Sequence, residues 1–301
     1  MATVKNYLSL VKFSHTIFAL PFALIGFALG CRSILSGLGP DLSHDTIVWW
    51  FISRQLIWVL VCMVSARSAA MAFNRYLDRH FDAKNPRTAV REIPAGVISA
   101  GNALAFTIIS CVVFLVACYF INPICFYLAP VALFVILFYS YTKRFTALCH
   151  LVLGLGLSLA PIGAYLAVTG EFALLPILFS VTVLCWVSGF DIIYALQDIA
   201  FDQSQQLYSI PSVLGKAKAL RVSELLHLFS AACVIAAGFY GHFHWLYWIG
   251  VGVFVGMLIY QHAIVKPDDL SRVNIAFMTA NGIASVVFGA VVIVALIIGN
   301  Y

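Results

Sequence analysis

Charge is what this sequence has least of. Charged residues make up 10% of the chain, against about 25% in an ordinary soluble domain. A soluble protein of 301 residues has no way to hide a hydrophobic fraction of 63%, so lipid must solvate most of the chain. Continuous basic runs are also missing. The net charge of +5 is spread over short segments between long apolar stretches, which argues against nucleic-acid binding and fits the loops of a membrane protein. None of the eight cysteines forms a C-x-x-C pair, and nearly all lie inside apolar runs. They read as buried small hydrophobes, not as disulfides or a metal site. None of the eight histidines makes an H-x-x-x-H spacing. A cleavable leader is not expected, because the stretch after Lys5 and Lys12 runs too long for a signal h-region; it reads as a first span.

Apolar runs fall at about 16–36, 47–66, 101–120, 124–141, 147–168, 173–193, 226–241, 245–264 and 276–298. About 20 residues of helix cross a hydrocarbon core. The expectation is therefore an all-α membrane protein, with about nine transmembrane helices in a bundle around a central cavity and one transmembrane domain over 1–301. Nine spans put Lys5, Lys12, the Arg/Lys residues of 67–91, Lys143, Arg144, Lys216, Lys218, Arg221, Lys266 and Arg272 on one side. Arg32 and Arg54 fall within span ends. The positive-inside rule then places the N-terminus in the cytoplasm and the C-terminus outside. Two segments on the basic side are longer than the rest, 67–100 and 191–225. Each follows the second span of a four-span block, and each contains an Ile-Pro step followed by Gly. This pattern predicts two four-helix half-repeats plus one helix.

The first long segment reads A-F-N-R-Y-L-D-R-H-F-D-A-K-N-P-R-T from position 72. Asn74, Asp78 and Asp82, spaced four and four, share one face of a helix. The second reads D-I-I-Y-A-L-Q-D-I-A-F-D from position 191. Asp191, Asp198 and Asp202, spaced seven and four, also share one face of a helix. Five of the twelve acidic residues fall in these two segments. Carboxylates gathered at a bilayer are costly unless paired. Mg²⁺ takes hard oxygen ligands and keeps positions open for phosphate oxygens, so two facing carboxylate pairs suit Mg²⁺ clamping a diphosphate. Arg67, Arg75, Arg79, Lys143 and Arg144 are candidates for the remaining diphosphate oxygens. A lone D-x-x-x-D reads as readily as a solvated helix face; its recurrence in both halves favours the metal–diphosphate reading. His15, at the mouth of span one, and Tyr194, one turn from Asp191 and Asp198, are candidates for a substrate pocket. An interfacial role is the simpler reading of His15. Asn274 and Asn281 in span nine read as interhelical hydrogen-bonding residues.

With both motifs in place, the chain resembles the UbiA family of intramembrane aromatic prenyltransferases over essentially its full length. Asn74, Asp78 and Asp82 match that family's N-x-x-x-D-x-x-x-D motif. Asp198 and Asp202 match its D-x-x-x-D motif, with Asp191 upstream, and Tyr139 and Lys143 match its Y-x-x-x-K pattern. The stretches A-R-S-A-A-M-A-F-N-R, N-P-R-T, R-E-I-P-A-G and K-F-S-H-T-I-F-A-L-P-F-A are similar to the branch that includes 4-hydroxybenzoate polyprenyltransferases.

The resemblance implies a multi-pass protein, in a bacterial inner membrane, with its active site on the cytoplasmic side. It implies Mg²⁺ held by Asn74, Asp78, Asp82, Asp198 and Asp202, and a polyprenyl diphosphate with its tail between helices. It also implies an aromatic acid as acceptor in quinone biosynthesis. 4-Hydroxybenzoate is the first candidate and a dihydroxynaphthoate, for menaquinone, the second. Asp78, Asp198 and Asp191 are the expected catalytic carboxylates. Asp191 is a candidate to steady an allylic cation or take a phenolic proton. Two readings from other classes stand beside this one, a transporter and a non-catalytic lipid-binding protein. Transporter sites sit near the midplane on broken helices, whereas these acids cluster at one edge.

Overall fold

The computed structural model describes residues 3–12, 18–38 and 45–299; the candidate His15 lies outside the described residues. A short helix α1 (Val4–Leu10) precedes α2 (Leu20–Gly37), α3 (Thr46–Lys84), α4 (Ala100–Ile121), α5 (Pro123–Thr142), α6 (Cys149–Thr169) and α7 (Leu174–Ala195). Two small helices follow, α8 (Ile199–Ser204) and α9 (Ile210–Leu214), and then α10 (Lys216–Tyr240), α11 (Trp245–Ile264) and α12 (Asn281–Ile298). Among the described residues nine helices are long and apolar enough to cross a membrane, as the hydropathy pattern predicts.

The helix ends are set by local chemistry. Asp45 caps α3 by accepting the Ile47 N–H at 2.8 Å. Asn122 alone joins α4 to α5: its Oδ1 accepts from Cys125 N–H at 2.9 Å while its Nδ2 donates to the Leu166 carbonyl at 2.7 Å. Such caps satisfy groups that a helix terminus leaves open. Large apolar side chains cover the outside, including Ile108, Ile109, Leu228 and Phe229, as expected where lipid is the solvent. Trp49, Trp50 and Trp245 are exposed near the helix ends that lie away from the motifs, where amphipathic rings suit a membrane interface.

The half-repeat is visible in the packing. Span two lies against three, three against four and four against five; likewise six lies against seven, seven against eight and eight against nine. The correspondence breaks at the first span, because α2 packs against α6 and α12 far more than against α3. The core accordingly sits among α2, α7, α11 and α12, where Phe22, Trp186, Phe254 and Phe288 are fully buried. Two helix crossings are too close for any side chain. A Cβ on Gly26 would meet the Pro161 carbonyl oxygen at 2.0 Å, and one on Gly154 would meet Ser188 Oγ at 2.3 Å. Small residues permit this close approach between membrane helices.

Asn281 behaves as the sequence suggests. Its Oδ1 accepts from Trp186 Nε1 at 2.8 Å and from Gln261 Nε2 at 2.9 Å, linking α12 to α7 and α11. Its Nδ2 donates to the Ala276 and Phe277 carbonyls. Those two residues belong to a π-helical turn, Ile275–Ala280, that opens the last span. The turn's widened hydrogen-bond ladder is thus partly satisfied by a side chain.

The helix α3 continues past its apolar run through the first motif to Lys84, as the one-face reading of Asn74, Asp78 and Asp82 expects. Its 39 residues reach about 58 Å at about 1.5 Å per residue, roughly twice the hydrocarbon thickness, so it has length to spare beyond the hydrocarbon. The second motif is not on one regular helix. After α7 the chain tightens into a 3₁₀ turn, Leu196–Asp198, before α8. Such a turn has about 3.0 residues per revolution, so a seven-residue spacing across it no longer returns to one face.

Candidate active site

Both motif segments and the α5–α6 turn meet at one end of the bundle. The helix α3 brings Asn74, Asp78 and Asp82 on successive turns, and Asn74 Nδ2 lies 3.4 Å from Asp78 Oδ2. Asp78 is buried and takes two cations from the end of α5: Lys143 Nζ at 2.7 Å and Arg144 at 2.9 Å. Arg144 also donates to the Leu77 carbonyl at 3.2 Å, so its guanidinium is fixed against α3. Asp82 is buried and pairs with Arg91 at 2.7 Å.

The second half contributes across the gap. Asp198 receives Arg87 from the first segment, Nε reaching Oδ1 at 3.1 Å and Nη2 reaching Oδ2, a bidentate pair. The remaining nitrogen, Nη1, donates to the Tyr194 hydroxyl at 2.9 Å. Burial works against the Arg87 charge, but Asp198 and Tyr194 outweigh it and its pKa is raised. Asn85 Nδ2 also reaches Asp198 Oδ1, at 3.4 Å. Asp202 accepts from Ser209 Oγ at 2.9 Å and lies within electrostatic reach of Lys143 and Asp198. The backbone closes the ring, since Tyr208 N–H donates to the Lys143 carbonyl at 2.7 Å. The four motif aspartates thus lie in one polar network at this end of the bundle, although the two pairs are more than a hundred residues apart in sequence.

The other expected residues divide. Tyr139 lies within electrostatic reach of Asp78, Asp191 and Arg67. Tyr194 packs on Phe277 with the rings tilted by 32° and their centroids 4.2 Å apart. Arg75 is buried, with Asp82 and Glu92 as its acidic neighbours. Arg67 donates to the Lys12 carbonyl at 3.0 Å. Arg79 donates to the Tyr76 carbonyl and lies over the Tyr76 ring, so it is engaged by Tyr76 and not by a motif carboxylate. Asp191 is held by His150, whose Nδ1 lies 2.7 Å from Asp191 Oδ2. Sequence reasoning missed Arg87, Arg91 and His150. The two arginines stand in the quoted stretches N-P-R-T and R-E-I-P-A-G, which was a usable signal; His150 has none.

The donor set suits a hard divalent cation: four carboxylates, one side-chain amide, and an Asp82 Oδ2 that is buried without a hydrogen-bond partner. Among the described residues no three acidic, His or Cys side chains yet converge on one point. Lys143, Arg144, Arg91 and Arg87 occupy the carboxylates instead.

The UbiA prenyltransferase family model matches residues 19–283. This chain belongs to that family. A 4-hydroxybenzoate octaprenyltransferase from Nitrosospira multiformis is 30% identical over 239 residues, which cover 79% of this chain and 81% of that one. The enzyme of the same name from Francisella tularensis subsp. mediasiatica is 26% identical over 286 residues, 95% of each chain. An apo UbiA homologue from Aeropyrum pernix K1 superposes with a TM-score of 0.79 at 30% identity, covering 93% of this chain and 97% of that one. The UbiA homologue from Archaeoglobus fulgidus bound to DMAPP and Mg²⁺ superposes with a TM-score of 0.73 at 18% identity, covering 98% and 100%. UbiA membership sets aside the transporter and the non-catalytic reading.

Proposed function

We propose that this UbiA prenyltransferase transfers a polyprenyl group from a polyprenyl diphosphate to the ring of an aromatic acid, 4-hydroxybenzoate first among candidates. The observation that carries this reading is the meeting of motif carboxylates from both halves with four cationic side chains of the first half, Arg87, Arg91, Lys143 and Arg144. The names of the two relatives support the acceptor, and the donor and metal bound to the Archaeoglobus homologue support the diphosphate and Mg²⁺. Asn74, Asp78, Asp82, Asp198 and Asp202 would hold the metal. When bound, Mg²⁺ supplies charge neutralisation that makes diphosphate a better leaving group.

The chain's own cations do the rest of the binding. Lys143, Arg144, Arg87 and Arg91 pair with the carboxylates and would turn toward diphosphate oxygens that compete for them. Arg67 and Arg75 stand behind them as reserve positive charge. The allylic C–O bond breaks with its electron pair on the departing diphosphate oxygen. An electron-rich ring carbon of the acceptor attacks the allylic carbon, and the ring proton leaves to restore aromaticity. Asp191 faces this cleft as the candidate acceptor for a proton. Tyr194, which packs on Phe277 and takes a hydrogen bond from Arg87, is the ring placed to stabilise positive charge and exclude water. The basic segments put this cleft on the cytoplasmic side.

The test is prenyl transfer by purified protein in liposomes, with Mg²⁺, a long-chain prenyl diphosphate and a panel of aromatic acids. Prenylated 4-hydroxybenzoate, formed with Mg²⁺ and not after chelation, is the expected product by mass. A prenylated dihydroxynaphthoate in its place would move the acceptor to the menaquinone branch.

A further inference from the structure

His150 sits in the first turn of α6 and is 3% exposed. One ring nitrogen, Nδ1, is 2.7 Å from Asp191 Oδ2. On the other side, the backbone N–H of Ile210 points at Nε2 from 3.3 Å. A backbone N–H can only donate, so Nε2 accepts, and the ring hydrogen is on Nδ1 and goes to Asp191. The ring has little freedom to turn, because it is buried and held at both nitrogens; its backbone is tied as well, the His150 carbonyl accepting from Ser188 Oγ on α7 at 3.1 Å. One turn further along, Gly154 brings the α6 and α7 backbones together.

Ile210 is the neighbour of Ser209, whose hydroxyl donates to Asp202 Oδ2 at 2.9 Å. Ser209 and Ser212 form a reciprocal capping box that fixes this turn at the start of α9. The imidazole is therefore the joint between Asp191 and the turn that carries the Asp202 contact. Asp191 keeps a side chain 25% exposed, so a carboxylate pinned at one oxygen still faces the cleft.

We infer that His150 is a positioning residue for the prenyl transfer proposed above. It fixes Asp191 as a hydrogen-bond acceptor in one orientation and ties that orientation to the second motif. The inference rests on that function, so its test has one arm that needs turnover and one that does not.

In the first arm, steady-state kinetics in liposomes are compared for His150→Ala, His150→Asn, Asp191→Ala and the double His150→Ala/Asp191→Ala. Asn places an amide N–H near the position of Nδ1–H. The expected result is a kcat for His150→Ala lowered about tenfold or more, with KM for prenyl diphosphate within about twofold. His150→Asn should recover most of the loss. The double variant should be no slower than Asp191→Ala alone, because the histidine acts through the aspartate. Losses that multiply, a silent His150→Ala, or an Asp191→Ala that turns over normally would each overturn the inference. In the second arm, ¹⁵N spectra of the unmodified protein should show His150 as a neutral ring protonated at Nδ1. A ring protonated at Nε2 overturns the assignment. A protein that transfers no prenyl group to any acceptor removes the proposed function, while the spectrum still decides which nitrogen faces Asp191.

Discussion

At the scale of single residues, the cleft is held together by charges that change partners. Arg87 makes three donations, two to Asp198 and one to Tyr194, and it comes from the opposite half of the chain. Its removal should raise KM for prenyl diphosphate about tenfold, the order expected for a charge-assisted bidentate site, with a smaller effect on kcat. Arg79 provides the contrast: it is bound to Tyr76, so Arg79→Ala should stay within about twofold. Steady-state kinetics on the two variants check both statements, and an Arg79 effect as large as that of Arg87 would contradict the geometry. The carboxylates were legible in the sequence because their spacing recurs. The cations were only partly so. Lys143 and Arg144 adjoin a short turn and reach Asp78 directly, whereas Arg79, one residue after Asp78, falls on another face of α3, and Arg75 keeps to the motif face as a buried neighbour of Asp82. His150 and Asp191 are 41 residues apart, and only the packing of α6 on α7 brings them together.

At the scale of elements, hydropathy located every span among the described residues, and the carboxylate spacing anticipated a helix through the first motif but not the break in the second. The helix α3 carries the first motif to Lys84 because Asp78 and Asp82 find cations there, so the polar turns stay satisfied outside the apolar run. The second motif breaks at Leu196–Asp198, where Arg87 and Asn85 hold Asp198 from one side and His150 holds Asp191 from another. Spacing along one helix holds no record of such cross-chain contacts. Helix crossings give a sharper prediction. Gly26→Ala places a methyl group at 2.0 Å from the Pro161 carbonyl oxygen, while a Cβ at Gly163 meets nothing within 4 Å. Thermal unfolding in detergent should show Gly26→Ala destabilised by about 1–3 kcal/mol, the usual range for overpacking, and Gly163→Ala unchanged. Equal midpoints for the two would show that the α2–α6 contact is not a fixed crossing.

At the scale of the whole molecule, two half-repeats with a ninth span place matched motifs at one end of a bundle. Every Lys and Arg outside the first two span ends belongs to that same end in sequence order. The positive-inside rule then predicts that a cysteine at Lys84, in a background without native cysteines, reacts with an impermeant thiol reagent from the cytoplasmic side. A cysteine at Glu171 should react only from the other side. The reverse pattern would invert the molecule. The central claim is that the two halves build one catalytic cleft. Its most direct test is Mg²⁺-dependent prenyl transfer by Asp78→Ala, Asp198→Ala and the variant carrying both. The account predicts that each single change abolishes transfer and that the double change costs nothing further, since both halves serve one site. Transfer that survives either substitution in folded protein would contradict it.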